Sequence, residues 1–151
     1  MMKEVVYNPV TVVIGGVDDA RFKAIKQVTE KRFPQGVLFR RIAVPVNTRL
    51  KSKTGFRAAE STVRTMVSEA HDKVPEADFV VAVDTRFMGE TDGKVGPHYF
   101  ERAVAMVKSV NRSKRGISRS KTGFDGKHNP TPADRHTQYV DALEKAFDRA
   151  K

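Results

Sequence analysis

Cysteine and tryptophan are both absent from this sequence. Without cysteine the protein has no disulfide, no thiolate metal site and no cysteine nucleophile. Long apolar runs are absent as well, and none approaches the length that a membrane-spanning helix needs. The first residues, Met1 to Glu4, lack the apolar segment of a signal peptide, so a cytoplasmic location is expected.

Acidic residues are few relative to basic ones, with 18 Asp and Glu against 28 Lys and Arg and a net charge of +10. A positive field of this size favours polyanions or phosphorylated small molecules without choosing between them. The aromatic residues are not interleaved with the basic ones, as base-stacking platforms require. With 151 residues, of which 39% are hydrophobic, the chain is predicted to form one domain spanning residues 1–151.

The strongest structural signal is the apolar run Phe79–Val83, which Pro75 precedes and Gly89 follows. Such a run is typical of a strand that is covered on both faces. Its first polar residue is Asp84. Because ligands bind at the carboxyl ends of strands in α/β folds, Asp84 is either the solvated end of a strand or part of a site.

A second apolar run, Val10–Ile14, is followed by a glycine pair that ends at Gly16. This pattern predicts a strand and a turn, after which Asp18 or Asp19 can cap a helix. The free N–H groups at the start of that helix, with Arg21 in its first turn, form a natural place for phosphate oxygens. The other interpretation is a plain strand–helix connection.

The remaining segments predict further strands, helices and basic loops. Val37–Val44 reads as a strand, Ala59–Val74 as an amphipathic helix, and Thr131 with Pro132 as the start of a last helix. Residues 47–57 and 111–130 are interpreted as basic loops. Tyr99–Val110 fits either a helix or a buried strand.

One pentapeptide occurs twice, as Ser52–Phe56 and as Ser120–Phe124. Both copies lie in basic segments that contain glycine. Either copy could present a lysine such as Lys53, a hydroxyl and backbone N–H groups to phosphate oxygens. The alternative is a pair of solvated loops with similar composition.

Four segments in chain order carry a resemblance to a known family. They are Val13–Ile25, with Asp18 and Arg21 at the Asn and Lys positions of a Thr-Asn-Pro-x-Lys turn; Pro75–Asp84; Arg115–Ser120, an Arg-Gly-x-x-Arg-Ser segment; and Asp134–Tyr139, similar to Thr-Arg-x-x-x-Tyr. Together they resemble the inosine/xanthosine triphosphatase family, which acts on non-standard purine nucleotides. Pro75–Asp84 is the most specific of the four.

The resemblance implies an α/β fold: a long twisted mixed β-sheet flanked by helices, with a nucleotide groove between two lobes. It also implies that Tyr99–Val110 is a strand. Family members hydrolyse inosine or xanthosine triphosphate with a divalent cation, Mg²⁺ or Mn²⁺, and are often homodimers.

Site residues follow from the same resemblance. Asp84 is the implied catalytic residue and metal ligand, and Glu60 is the nearby carboxylate that can join it at the metal. The implied phosphate-binding residues are Gly16, Asp18, Arg21, Lys53, Arg115, Arg119, Ser120 and Arg135.

The sequence also departs from the family, because Arg57–Ala59 stands where the family has Glu-Glu-Thr and Arg86 stands where it keeps a small residue. Losing acids and gaining arginine favours anion binding over cation-assisted hydrolysis. The predicted function is therefore hydrolysis of inosine/xanthosine triphosphate-type nucleotides or, alternatively, binding of nucleotide or nucleic-acid phosphates without cleavage. A third possibility is nonspecific polyanion binding by Asn111–Lys127.

Overall fold

A computed structural model describes residues 8–45, 55–87, 99–120, 124–126 and 131–151. Within these ranges the elements are β1 (Val10–Gly15), α1 (Asp19–Arg32), β2 (Val37–Ile42), α2 (Gly55–Lys73), β3 (Phe79–Phe87), β4 (Tyr99–Ser109), β5 (Lys114–Arg119), β6 (Phe124–Gly126) and α3 (Pro132–Arg149). Of the helices in the described ranges, none is both long enough and apolar enough to cross a membrane.

All of these strands belong to one mixed sheet, in which they lie in the order β2-β1-β3-β4-β5, with β6 also paired to β4. β1 runs parallel to β2 and β3, whereas β4 is antiparallel to β3, β5 and β6. Helices cover both faces. The fold class predicted from the resemblance, an α/β fold with a mixed sheet flanked by helices, is therefore confirmed.

The central strand β3 supplies apolar side chains to both faces of the sheet. Val81 and Val83 pack against α1 and α3, whereas Val80 and Ala82 pack against α2. Successive side chains of a strand point to opposite faces, so a strand buried on both sides has no polar alternation. This geometry explains the uninterrupted apolar run that the sequence shows there.

Two glycines let helices lie directly on the sheet backbone. A Cβ at Gly15 would come within 2.6 Å of the Met66 carbonyl oxygen on α2. A Cβ at Gly116 would come within 2.1 Å of the Ala146 carbonyl oxygen on α3. Both distances are far below van der Waals contact, so only glycine fits at these two positions.

The structure resolves one ambiguity and corrects two boundaries. Tyr99–Ser109 is a strand, as the resemblance implies. The basic segment 111–130 is not a continuous loop, because Lys114–Arg119 pairs with β4 as a strand and Phe124–Gly126 forms another. Strand pairing uses the backbone, so a basic composition does not prevent it. Similarly, residues 55–57 of the basic segment 47–57 begin α2, and residues 47–54 lie outside the described ranges.

Candidate arginine–carboxylate site

Asp84 lies where β3 extends past its neighbour β1. The pairing of β1 with β3 reaches Ile14 and Val81, three residues before Asp84. Asp84 is nevertheless buried, with 5% of its surface exposed. A buried carboxylate needs partners, because removing an unpaired charge from water is costly.

Two arginines provide those partners, one for each carboxylate oxygen. Arg21 Nη2 donates to Asp84 Oδ1 at 3.0 Å, and Arg86 Nε donates to Oδ2 at 2.8 Å. Arg86 lies two residues after Asp84 on the same strand, so both side chains project from the same face. Arg86 Nη2 also donates to the Thr62 hydroxyl on α2 at 3.0 Å, which fixes the guanidinium between strand and helix.

Arg21 joins three elements at this point. It belongs to the first turn of α1, donates to Asp84 on β3 and lies close to Tyr139 on α3. Burial by itself lowers the pKa of Arg21, but the charge of Asp84 and the contact with Tyr139 outweigh that effect and raise the pKa above its ordinary value. Arg21 therefore remains cationic throughout the pH range in which a protein is normally studied.

The turn before α1 uses the residues that the sequence analysis assigned to phosphate. Asp18 is the N-cap, and its Oδ1 accepts from the Arg21 backbone N–H at 2.9 Å. Gly16 has φ +144°, and its N–H donates to the carbonyl of Ile42 at 2.8 Å. These two residues thus build the turn and the helix start that place Arg21 beside Asp84.

A second buried carboxylate, Glu101, lies near the same edge on the opposite face of the sheet. Its oxygens accept from Arg135 Nε at 3.2 Å and Nη2 at 3.3 Å, and from Gln138 Nε2 at 3.4 Å. Glu101 is 2% exposed, whereas 43% of the Arg135 side chain is exposed. Arg135 therefore joins α3 to β4 and keeps part of its side chain at the surface.

Glu60 and Arg119 form a third pair beside Phe56. Arg119 Nη2 lies 3.7 Å from Glu60 Oε1, and its guanidinium carbon lies 3.7 Å from the centre of the Phe56 ring. Arg102, which is directly opposite Arg86 in the β3–β4 ladder, also lies over this ring at 6.0 Å. Several arginine side chains therefore lie close together on the α2 face of the sheet, near the carboxyl-terminal part of β3.

The other predicted residues lie elsewhere or have structural partners. Ser120 is buried, and its hydroxyl accepts from the Ala103 backbone N–H at 3.1 Å, so it closes the end of β5 against β4. Arg115 lies on β5 four residues before Arg119, a separation of roughly 13 Å along a strand. The structure therefore does not bring Arg115 to Asp84. Lys53 lies outside the described residues.

The carboxylate oxygens at this site are not arranged to bind the divalent cation that the resemblance implies. Mg²⁺ and Mn²⁺ take carboxylate oxygens as ligands. Here both oxygens of Asp84 already accept from guanidinium groups, and Glu60 is paired with Arg119. A cation would have to displace arginines of the same sign of charge, so we assign no step to a metal.

Sequence reasoning singled out Asp84 and Arg21, which the structure brings into contact, but it gave no site role to Arg86, Glu101 or Tyr139. The signal for Arg86 was available, because residues two apart on a strand share a face. For Glu101 there was none, since its partner Arg135 comes from a distant part of the chain. For Tyr139 the signal was its match to the last position of the Thr-Arg-x-x-x-Tyr segment.

Comparisons with known proteins support the fold. No protein-family model and no curated protein matches the sequence. The crystal structure of protein VC0702 from Vibrio cholerae matches with a TM-score of 0.67 and 18% identity, over 93% of this chain and 94% of that chain. The two proteins share a fold. At this identity the likeness extends to architecture alone.

Two other solved structures are weaker likenesses. A competence-damaged (CinA) superfamily protein from Enterobacter cloacae has a TM-score of 0.48 and 15% identity, over 93% of this chain and 81% of that chain. A competence or damage-inducible protein from Enterobacter asburiae has a TM-score of 0.44 and 11% identity, over 94% and 86% of the respective chains. We base no functional argument on either.

Proposed function

We propose that this protein binds the phosphates of a purine nucleoside triphosphate at the arginine–carboxylate site, without cleaving them. The observation that carries the proposal is the double ion pair in which Asp84 holds Arg21 and Arg86 where the central strand extends past β1. Ligands of α/β folds bind at this end of the strands. Arginine is the side chain best suited to phosphate oxygens, because its planar fork can donate two parallel hydrogen bonds.

Asp84 acts in this proposal as a positioning residue for the two guanidiniums. The Arg21 guanidinium has five N–H donors, and its hydrogen bond to Asp84 Oδ1 uses one of them. Arg21 keeps 29% of its side chain exposed, which gives an incoming anion access to it. The amino terminus of α1 lies in the same turn, and its helix dipole adds to the attraction for phosphate.

A cleft of about 420 Å³ opens between the first turns of α1 and α3, and its lining includes Ala20, the residue before Arg21. Lys23 and His136 line it together with Tyr139, which lies close to Arg21. Its volume is within the range of small-molecule sites in proteins. The cleft gives the remainder of a nucleotide a place near the first turn of α1, which carries Arg21.

Equilibrium titration with inosine, xanthosine, guanosine and adenosine triphosphates tests this function. Arg21→Gln should weaken binding of the preferred nucleotide roughly 10- to 100-fold, since a hydrogen bond to a charged group contributes about 1.5–3 kcal/mol. Lys26→Gln, which removes the same charge from an exposed position of α1, is the matched control and should bind like the wild type. Equal affinity of Arg21→Gln and wild type for every nucleotide would rule the site out.

Hydrolysis of the same nucleotides is the second candidate, and the burial of Asp84 beside a phosphate-binding arginine favours it. A phosphohydrolase needs both an acidic group and a cationic clamp at the transferred phosphate. Phosphate or pyrophosphate release in Mg²⁺ or Mn²⁺, abolished by Asp84→Asn, would establish hydrolysis. Binding without release would establish the first candidate. The homodimer implied by the resemblance stays a prediction.

A further inference from the structure

One group of basic residues in the described ranges follows the edge strand β5. We define the basic strip as the residues Arg64, Lys108, Arg115, Arg119, Lys145 and Arg149, which line two clefts along this strand. The acids in or beside these clefts are Glu60, Asp72 and Asp141. The six basic side chains thus outnumber the three acidic ones on a single edge of the sheet.

The first cleft, of about 220 Å³, lies between α2 and the β4–β5 hairpin. Lys108 and Arg115 are directly opposite each other in the β4–β5 ladder, so their like charges share one face. Like charges at directly opposed positions destabilise a sheet unless something compensates them. Arg64 approaches the same cleft from α2.

His71 holds one of these cations in place. The Nζ atom of Lys108 lies 2.9 Å from His71 Nδ1. Because a lysine ammonium group only donates hydrogen bonds, Nδ1 is the acceptor, and the Nε2–H of the ring is left as a further donor. The polar groups around Lys108 are therefore mostly donors, as an anion requires.

The cations of the first cleft differ from seven other arginines in their carboxylate pairing. The arginines that are paired with a carboxylate are Arg21, Arg32, Arg40, Arg41, Arg86, Arg119 and Arg135. Within the part of the chain that the structure describes, no carboxylate lies within ion-pair distance of Arg64, Lys108 or Arg115. These three cations converge on a cleft that holds one acid, Asp72.

The second cleft, of about 460 Å³, continues the strip along β5 to Arg119. Lys145 and Arg149 reach it from α3, because Gly116 lets that helix lie against the strand. Arg149 Nη1 donates to the Ile117 carbonyl at 2.6 Å and so occupies a backbone acceptor of the edge strand. Another β-strand would compete with this side chain for the edge.

We infer that the basic strip binds the phosphodiester backbone of a nucleic acid. The six residues of β5 span about 20 Å, which matches roughly six phosphates of one B-DNA strand. The exposed large hydrophobic side chains of the described ranges, Val17 and Leu38, lie near β1 and β2 and not along β5. A donor-rich strip without exposed apolar anchors suits a phosphate backbone better than a protein or lipid partner. The inference is independent of the nucleotide site.

Fluorescence anisotropy with labelled 20-mers of mixed sequence, as single- and double-stranded DNA and as RNA, tests the inference between 50 and 200 mM KCl. The wild type should bind with an affinity that falls steeply as salt is raised. The variant Arg64→Gln/Arg115→Gln should bind at least tenfold more weakly at 100 mM KCl. Its log–log salt slope should be shallower by about 1.5–2 on duplex DNA, because two phosphate contacts are lost.

The matched control is Lys26→Gln/Lys31→Gln, which removes two charges from exposed positions of α1. It should keep the wild-type salt slope, and both double variants should keep the wild-type melting temperature. The inference would be overturned if the wild type did not bind nucleic acid at 50 mM KCl, or if both double variants lost affinity equally. The remaining role of the basic strip would then be to prevent another strand from pairing with β5. If Arg64→Gln/Arg115→Gln also lost nucleotide binding, the inference that the basic strip is separate from the nucleotide site would be overturned.

Discussion

At the scale of single residues, Arg86 limits the chemical roles that Asp84 can have. It lies two positions further along the same strand and donates to Asp84 Oδ2, while its other end is anchored on Thr62. Each oxygen of the carboxylate therefore accepts a hydrogen bond from an arginine N–H group. This arrangement favours the recruitment of an anion and not of a cation.

Arg86→Met should lower the free energy of unfolding by about 2 kcal/mol, because it removes charge-assisted hydrogen bonds and leaves part of a buried carboxylate unsatisfied. Urea unfolding followed by circular dichroism measures the loss. Arg40→Met, which breaks an ion pair with Glu76 whose two side chains are 54% and 68% exposed, is the control. It should change stability by less than about 0.5 kcal/mol. Equal losses in the two variants would mean that the Asp84 contacts do not stabilise the fold.

For Asp18, the resemblance implies a role in phosphate binding, whereas the structure shows a helix cap. As the N-cap of α1, it should contribute to stability more than to ligand binding. Asp18→Ala should lower the free energy of unfolding by about 1 kcal/mol. It should weaken nucleotide binding only to the extent that the loss of the cap displaces Arg21. Asp18→Asn, which can still accept from the Arg21 N–H, should retain most of the stability. A loss as large in Asp18→Asn as in Asp18→Ala would argue against the capping role.

At the scale of elements, the contact of α3 with β5 depends on Gly116. A methyl group there would overlap the Ala146 carbonyl oxygen. Gly116→Ala should therefore destabilise the protein by at least about 2 kcal/mol, since overpacking against a backbone atom cannot be relieved by a rotamer change. Because the helix must move, the variant should also weaken nucleic-acid binding through Lys145 and Arg149.

Ser113→Gly is the control in the same hairpin. Ser113 has φ 51°, in the left-handed region that glycine adopts without strain. We expect this variant to keep or slightly raise the melting temperature. If differential scanning calorimetry showed Gly116→Ala to be as stable as Ser113→Gly, the close contact of α3 with β5 would be disproved.

Arg32 links α1 to α3 through three acceptors. Its guanidinium donates to the Glu144 carbonyl, the Glu144 carboxylate and Asp148 Oδ1, each at 2.9 Å. The hydrogen bond from Arg32 lowers the pKa of Asp148 below its ordinary value. Because the folded pKa is below the unfolded one, the stabilisation is complete above the unfolded value of about 3.9 and is lost as the pH falls through the folded value.

Asp148→Asn should therefore lower the melting temperature at pH 6, and the difference from the wild type should shrink as the pH falls below about 4. Thermal unfolding between pH 3 and pH 7 measures this trend. In an Arg32→Gln background the same substitution should have no comparable pH-dependent effect. A difference that stays constant with pH, or that grows in acid, would contradict the linkage.

At the scale of the whole molecule, the three-layer arrangement makes β3 the shared wall of two cores. Val80 contributes to the core under α2 and Val81 to the core under α1 and α3, although they are neighbours in sequence. Val80→Ala and Val81→Ala should each cost about 2 kcal/mol, and their effects should add within about 0.5 kcal/mol in the double variant. Chemical denaturation of the single and double variants measures this. A large coupling energy would mean that the two cores are not independently packed.

Much of this architecture could be predicted from local sequence. The apolar runs at Val10–Ile14 and Phe79–Val83 are strands, Asp18 caps α1, and Thr131 with Pro132 starts α3. These features depend on neighbours within a few residues, so composition and spacing are sufficient to find them. The strand at Lys114–Arg119 was not predicted from the residues, because its pairing partner and Gly116 contact come from elsewhere in the chain.

The sequence by itself determined the α/β class, the place of Asp84 directly after the apolar run of the central strand, and the excess of positive charge. Only the tertiary structure decided how these parts combine. It placed Arg21 and Arg86 on the two oxygens of Asp84, moved Arg115 away from them and aligned it with Lys108 and Arg64 on a separate edge. The physical reason is that strand ends and helix caps are local properties, whereas the partner of a charge depends on which distant elements the fold packs together.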